Sequence, residues 1–373
     1  MIQTYSTTIR RKEMDAVLTC MVDERIGPGE LNARLIQQVK LFFDCDGAVA
    51  LRSPETALKY AIIASGFEEG GTVMISALAP SWHYTALENL GYKILVLDVD
   101  ESSGLVNAEI VQRGINHGGR LLLLHESMGI LPKMDEIMAL GIPVIEDVSK
   151  SAGALVPQEN ENGQAIKPLK AGSFGVYSIL ALEERDVITS GGGAVLMAPN
   201  RREWIVLKKF TDLLSKTELL PDINCALAWV QLKEFQKNEE SRKQIFSLYQ
   251  RACMSGRHKM FSRSNNPGSF PVENTEKKEG ESETKALDYS STMSAFPLVL
   301  STSFKDVKQY TQKKEIEISQ AYEDSVIALK EEDLSQSCIR AKSLFLRTAV
   351  FPLYPRLTHS QVAKIVKVLG TLP

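Results

Sequence analysis

Short runs of β-forming residues alternate with helical patterns between residues 50 and 200, and this alternation restricts the fold more than any other feature of the sequence. The runs that predict strands are Val73 to Ile75, Lys93 to Val99, Arg120 to Leu124 and Pro143 to Glu146, and the stretches that fit helices include Tyr84 to Leu90 and Met134 to Leu140. Strands separated by helices predict a mostly parallel sheet covered by helices, with ligands at the carboxyl ends of the strands. Asp147 directly follows one of these strands.

Three motifs surround that position. Residues 144–154 read VIEDVSKSAGA, residues 172–175 read GSFG, and residues 190–195 read SGGGAV. They resemble the cofactor core of the DegT/DnrJ/EryC1/StrS family of pyridoxal-phosphate-dependent sugar aminotransferases, whose members read VIEDAAQALGA, GSLGD and GEGGAV. Further similarity lies in residues 42–58, 70–75, 79–82, 124–137 and 351–358. Because it extends over nearly the whole chain, the chain is identified as a member of that family.

The resemblance implies an α/β, fold-type I architecture like that of aspartate aminotransferase, with a mostly parallel sheet of the seven-stranded type. We place a large cofactor-type domain, including an N-terminal helical segment, at residues 1–255 and a smaller α+β domain at residues 256–373. A polar, charged stretch at about residues 265–285 predicts a flexible insertion in the small domain. The resemblance also implies a homodimer, because family sites are completed across the subunit interface.

The resemblance assigns site positions residue by residue. In the family, the carboxylate at the Asp147 position pairs with the pyridinium nitrogen, which lets the ring act as an electron sink. Trp82 falls at the position of the aromatic residue that stacks on the ring, and Lys150 falls beside the cofactor's phenolic oxygen. Ser178 matches the serine of the family's FSF motif. Thr56 aligns with the phosphate-binding threonine if the alignment contains a one-residue gap.

The position of the Schiff-base lysine departs from the family pattern. Between Gly175 and Gly191 the sequence reads VYSILALEERDVITS, which contains no lysine. Counting back from the glycine motif places Arg185 at that position, whereas counting forward from Ser178 places Glu183 there. Neither side chain forms an imine, because a guanidinium stays protonated and a carboxylate is no amine nucleophile.

The phosphate end departs as well. Aligned without gaps, Pro54 replaces the glycine and Glu55 the threonine of the family's SGT motif, which opens a helix and holds the phosphate. Proline removes a donor, and glutamate brings a negative charge to the positive end of the helix. Ser53 is a suitable N-cap with proline at the first helical position. The sequence therefore predicts a helix start at which Ser53 and Glu55, rather than a phosphate, interact with the N-terminal donors and the positive end of the dipole.

These departures favour a divergent homologue that does not perform ordinary transamination. It would act as a binding or regulatory protein linked to nucleotide-sugar or surface-polysaccharide synthesis. The alternative is an aminotransferase-type enzyme with a rearranged site, in which Lys150 or non-covalently held pyridoxal phosphate acts on a nucleotide-linked keto-sugar. Lys150 is otherwise an ordinary charged residue at the start of a helix.

Composition restricts the partners. The 43 Lys and Arg residues are balanced by 46 Asp and Glu residues, so nucleic acid is not an expected partner. The N-terminus lacks the apolar run of a signal peptide, and no stretch reaches the roughly 18 apolar residues of a membrane helix. We therefore expect a cytoplasmic protein. Five scattered cysteines without CxxC spacing predict reduced thiols and no metal site.

Overall fold

The computed structural model describes residues 1–159, 165–254, 256–262 and 291–373, so the predicted insertion at 265–285 lies outside the described residues. The strands are β1 (Gly47–Leu51), β2 (Thr72–Ser76), β3 (Lys93–Leu97), β4 (Leu121–His125), β5 (Val144–Asp147), β6 (Leu155–Glu159), β7 (Ala165–Lys170), β8 (Tyr177–Ala181), β9 (Ala194–Ala198), β10 (Phe296–Val299), β11 (Ser319–Gln320) and β12 (Thr348–Phe351).

The helices are α1 (Arg11–Val22), α2 (Glu30–Phe43), α3 (Pro54–Ser65), α4 (Ser81–Asn89), α5 (Ala108–Asn116), α6 (Met134–Met138), α7 (Arg201–Thr211), α8 (Asp222–Lys233), α9 (Phe235–Cys253), α10 (Phe304–Lys313), α11 (Val326–Leu329), α12 (Glu331–Leu334), α13 (Ile339–Arg347) and α14 (His359–Leu369). A 3₁₀ turn follows β4 at Ser127–Gly129. No helix among the described residues is long and apolar enough to cross a membrane.

A seven-stranded sheet in the order β1-β9-β8-β5-β4-β2-β3 forms the centre of the fold. The pairs β2–β3, β2–β4, β4–β5 and β5–β8 are parallel, whereas β9 pairs antiparallel with both β1 and β8. The strands in the middle are buried along their whole length, as in the LLLLH run of β4. Burial on both faces is typical of a sheet covered by helices. The predicted α/β fold with a mainly parallel sheet is confirmed.

Helix α3 begins as the sequence predicts. The Oγ of Ser53 accepts a hydrogen bond from the backbone N–H of Thr56, and Pro54 occupies the first turn. The cap satisfies one of the donors that a helix N-terminus leaves unpaired. The start of α3 follows the carboxyl end of β1. Because β1 and β9 are antiparallel, that end lies beside the amino end of β9 and the segment 190–193 that leads into it.

A second, three-stranded sheet in the order β10-β12-β11 lies in the C-terminal part of the chain. Its hydrophobic core also contains side chains from outside residues 256–373. Ile2 pairs with Ile316 in an isolated bridge, and Phe246 and Tyr249 of α9 pack into the same cluster as Phe296. The N-terminal segment is therefore anchored on the C-terminal part of the structure, and it passes residues 184–187 on the way.

Candidate functional site

Asp147 is the centre of a buried polar cluster at the carboxyl end of β5. Its Oδ2 accepts hydrogen bonds from His83 Nε2 at 2.9 Å and from His125 Nδ1 at 2.8 Å. Its Oδ1 accepts from the backbone N–H of Ser149 at 3.2 Å and from the Ser149 hydroxyl. The exposed fractions of His83, His125 and Asp147 are 0%, 6% and 0%. Four protein donors thus surround a carboxylate that has no contact with solvent.

The sheet and one helix bring these residues together. His125 and Asp147 are direct partners in the parallel register of β4 and β5, so their side chains lie on the same face at the same height. His83 comes from the first turn of α4, whose start follows β2. The imidazole rings of His83 and His125 meet edge to face, with centroids 5.7 Å apart. Trp82 is half-buried beside them, and its ring packs against His83.

Electrostatics favours the ionised form of Asp147. Burial by itself raises the pKa of a carboxyl group, but attraction to His125 and hydrogen bonds from both imidazoles outweigh it and hold the pKa of Asp147 well below its usual range. Burial lowers the pKa of His83, although its bond to Asp147 opposes that shift. His83 is therefore neutral at pH 7 and donates its Nε2 proton to a charged carboxylate.

The segment predicted to occupy the position of the family lysine lies at the edge of this cluster. Lys150 Nζ is 2.8 Å from Asp186 Oδ1 and donates to the Arg185 carbonyl oxygen at 2.7 Å. The Asp186 side chain is almost enclosed, and burial together with the negative charge of Asp147 raises its pKa, against the attraction of Lys150. The Arg185 guanidinium pairs with Glu323 and lies over the ring of Tyr5. Neither of these partners belongs to the Asp147 cluster.

Two carboxylates lie near the predicted phosphate end. Glu55 is exposed in the first turn of α3. Partial burial and the negative charges of Asp186 and Glu55 raise the pKa of Glu183, so the two glutamates lie close enough to repel. The Thr56 hydroxyl lies 3.1 Å from Ser53 Oγ, the cap of the same helix. The groups that would meet a phosphate here are acidic or already bonded.

Ser178 lies on the other face of the sheet from Asp147. It is the register partner of Glu146, which neighbours Asp147 in β5 and therefore points the opposite way. The hydroxyl of Ser178 is buried without a hydrogen-bond partner among the described residues. Glu146 itself accepts three backbone hydrogen bonds, from Gly172, Phe174 and Gly175, and so fixes the GSFG loop. The structure does not bring Ser178 together with the other predicted site residues.

Two members of the cluster were missed by sequence reasoning. His83 carried no motif signal, although it directly follows the predicted stacking residue Trp82. His125 lies in the similar range 124–137, but that similarity assigned it no role. Their partner Asp147 is 64 residues from His83 and 22 from His125, and it meets His125 through the parallel register of β4 and β5 and His83 through the position of α4. A search for histidines at the carboxyl ends of predicted strands and in the loops that follow would have found both.

A polar cleft of about 510 Å³ opens next to this region. It lies between the N-terminal segment, residues 184–187, α8 and α9, and the C-terminal segment 353–356. Three of its lining side chains have buried oxygen atoms without a hydrogen-bond partner among the described residues, namely Thr4 Oγ1, Asn238 Oδ1 and Ser294 Oγ. Unpaired buried polar atoms are costly, so atoms of this kind mark where a polar ligand or water binds.

The chain is similar to known proteins over most of its length. Residues 7–370 match the model of the DegT/DnrJ/EryC1/StrS aminotransferase family. The UDP-4-amino-4,6-dideoxy-N-acetyl-beta-L-altrosamine transaminase of Campylobacter jejuni subsp. jejuni serotype O:2 is 25% identical over 269 residues, which is 66% of this chain and 68% of that protein.

Solved structures share the fold at low sequence identity. The aminotransferase TlmJ from Streptoalloteichus hindustanus superposes with a TM-score of 0.81 at 13% identity, covering 99% of this chain and 98% of its own. Spr1654 from Streptococcus pneumoniae, in its PLP form, gives a TM-score of 0.80 at 13% identity, covering 97% and 96%. Pyridoxal phosphate is thus associated with the family and with its structural neighbours.

Proposed function

The chain belongs to the DegT/DnrJ/EryC1/StrS aminotransferase family, and we propose that it retains the family's fold without performing ordinary transamination. It acts instead as a binding or regulatory protein linked to nucleotide-sugar metabolism. The observation that carries this proposal is the state of Asp147. A carboxylate has about four lone-pair sites, and His83, His125 and Ser149 already supply four donors.

Pyridoxal phosphate does not fit this arrangement. Its ring nitrogen would need one of the acceptor sites of Asp147, and the two imidazoles enclose the oxygen that would offer it. An imine needs a primary amine, and Gly175 to Gly191 contains none. The phosphate would meet Glu55 and Glu183 at the start of α3. Three separate parts of the family's cofactor site are therefore altered, and each change disfavours the binding of pyridoxal phosphate or the formation of its imine.

The polar cleft supports a binding function. Its lining includes the neutral polar side chains of Thr4, Asn238 and Ser294, which suit the hydroxyl groups of a sugar. A volume of about 510 Å³ is within the usual range for small-molecule sites, roughly 300–1,000 Å³. The named activity of the Campylobacter relative concerns a UDP-linked amino sugar. We infer that a nucleotide-linked sugar is the ligand class to test first.

The test compares binding with turnover. Purified protein is given pyridoxal phosphate, an amino donor and a panel of UDP-linked keto- and amino-sugars, with the Campylobacter relative assayed in parallel as the active reference. We expect calorimetric binding of a nucleotide sugar and no amino transfer. Asn238→Leu, which removes an unpaired cleft oxygen, should weaken that binding. Amino transfer by the wild-type protein would refute the proposal.

The alternative is a rearranged enzyme that uses Lys150. One observation favours it: Lys150 Nζ lies at the edge of the Asp147 cluster, within reach of Asp186. That same ion pair opposes it, because the Nζ atom of Lys150 is already bound to the Asp186 carboxylate and the Arg185 carbonyl oxygen. Lys150→Met separates the two functions. Loss of turnover in that variant would support the rearranged enzyme, whereas nucleotide-sugar binding without any turnover in either protein supports the binding function.

We also propose a homodimer. Helix α1 exposes Met14, Leu18, Met21 and Val22, which lie on one side of the helix at helical spacing. A contiguous apolar stripe of this kind is typical of a protein interface, and a second copy of the chain is the partner that the family suggests. Leu18→Glu should shift the mass measured by sedimentation equilibrium toward the monomer. Thr19→Glu, exposed on a different side of α1, should not.

A further inference from the structure

The cluster at Asp147 contains a buried carboxylate whose side-chain partners on Oδ2 are two imidazoles. In the described residues no lysine or arginine forms an ion pair with Asp147, and Lys150 is paired with Asp186 instead. Buried carboxylates in proteins are commonly paired with a cation or bound to a metal. The partners of Asp147 are two imidazoles, which are the side chains that most often bind transition metals. This combination of ligands is independent of the cleft and of the missing lysine.

The geometry is close to that of a metal centre. The ligand atoms of His83, His125 and Asp147 all lie within 4.8 Å of one another. Both nitrogens lie 2.8–2.9 Å from the same carboxylate oxygen. In a tetrahedral site with bonds of about 2.0–2.1 Å, neighbouring ligand atoms are about 3.3–3.4 Å apart. Each nitrogen–oxygen distance therefore needs to lengthen by only about 0.5 Å to admit an ion.

The surroundings are already arranged as those of a metal ligand. The Ser149 N–H and hydroxyl bind Oδ1 and leave Oδ2 directed at the two imidazoles. Hydrogen bonds of this kind orient ligating carboxylates in known metal sites. Metal binding at His83 Nε2 and His125 Nδ1 requires the proton of each ring to move to its other nitrogen. The two hydrogen bonds to Asp147 Oδ2 are lost in that change, and the bonds to the ion replace them, while His83 Nδ1 has no other hydrogen-bond partner among the described residues.

We propose that His83 Nε2, His125 Nδ1 and Asp147 Oδ2 bind one divalent transition-metal ion of the zinc type. Two imidazoles and one carboxylate are a ligand set that zinc and ferrous iron use in proteins, with further positions left open. The ion adds positive charge directly beside the buried Asp147 carboxylate. In the sequence these residues lie at positions 83, 125 and 147, a spacing that matches no metal motif, which explains why the sequence predicted no metal site.

The experiment uses the full-length protein stripped with a chelator and then refolded with Co²⁺, since the cluster is enclosed. We expect a visible d–d absorption band that saturates at one equivalent and is abolished by one equivalent of Zn²⁺, together with a raised melting temperature. Absence of the band and of any thermal shift after refolding would overturn the proposal and leave a metal-free hydrogen-bonded cluster.

Variants test which residues bind the ion. His83→Gln keeps an N–H donor for Asp147 but removes a good metal ligand, so the variant should remain folded. Its affinity for Co²⁺ should fall by more than the about 10–100-fold that is typical when a residue bonded to a ligand is lost. His117→Ala, which removes an exposed histidine bonded to Arg113 in α5, should bind Co²⁺ as the wild type does. Equal affinity in wild type and His83→Gln, with both folded by circular dichroism, would contradict the assignment.

Discussion

Substituting Asp147 by asparagine perturbs the cluster most selectively, because the two side chains have nearly the same shape. Four donors point at the carboxylate, two at each oxygen. Asparagine offers one carbonyl oxygen and one NH₂ group, which is itself a donor. Whichever way the amide turns, its NH₂ faces either the two imidazoles or the two donors of Ser149.

The magnitude follows from that geometry. Two enclosed donors lose their acceptor, and each unsatisfied buried group costs about 1–3 kcal/mol, so Asp147→Asn should lower the free energy of unfolding by about 2–6 kcal/mol. The lowered pKa of Asp147 agrees in sign, since the folded state favours the ionised carboxylate over a neutral one. A carboxylate kept open for a cofactor would instead face water in the cofactor-free protein, and its amidation would cost little.

The assay is urea unfolding of metal-free, cofactor-free protein, with the slope checked for equality between variants. Asp44→Asn is the matched control, because Asp44 is 61% exposed, pairs with Lys167 and has a left-handed backbone that asparagine tolerates. The control should lie within about 1 kcal/mol of the wild type. If Asp147→Asn also lies within that margin, the four hydrogen bonds do not hold the cluster together and the reasoning fails.

The remaining predictions concern the predicted lysine position and the start of α3. Arg185→Lys alone should give no amino transfer in the coupled assay, because the phosphate end and Asp147 stay unchanged; measurable transfer would show both to be competent. Pro54→Gly with Glu55→Thr should tighten binding of inorganic phosphate at equal ionic strength, since two unit charges about 4 Å apart repel by about 4 kcal/mol at an effective dielectric of about 20; equal or weaker binding would mean that Glu55 does not face the site. Ser53→Ala should lower the free energy of unfolding by about 1 kcal/mol, and with it the melting temperature, because the helix loses its cap. An unchanged melting temperature would mean that the Ser53 hydrogen bond does not stabilise the protein.

The fold was predictable because its signals are local. Runs such as LLLL in β4 and the Val144-Ile145 start of β5 are short, apolar and separated by helical patterns, so both the strands and their parallel pairing follow from the sequence. The cap of α3 was predictable for the same reason, since Ser53 and Pro54 act within one turn. The capping box at the start of α14 also acts within one turn, between Thr358 and Gln361.

The content of the site was only partly predictable, because it depends on contacts between distant elements. Asp147 and Lys150 were identified from their motif, but nothing in that motif indicates that His83 reaches Asp147 from α4 or that Asp186 binds Lys150. Ser178 was included by motif alone, and strand alternation places it on the other face. Side-chain direction at a strand end depends on register, which a motif does not encode.

Borohydride reduction after addition of pyridoxal phosphate tests the central claim most directly. The full-length protein is titrated with pyridoxal phosphate, its spectrum is recorded in the internal-aldimine band, and the reduced protein is digested and mapped by mass spectrometry. We predict no aldimine band at stoichiometric cofactor and no pyridoxyl group in the peptide from Gly175 to Gly191, which has no primary amine in its side chains. A stoichiometric pyridoxyl adduct on Lys150, at the edge of the Asp147 cluster, would contradict the claim that this chain has abandoned the family's imine chemistry.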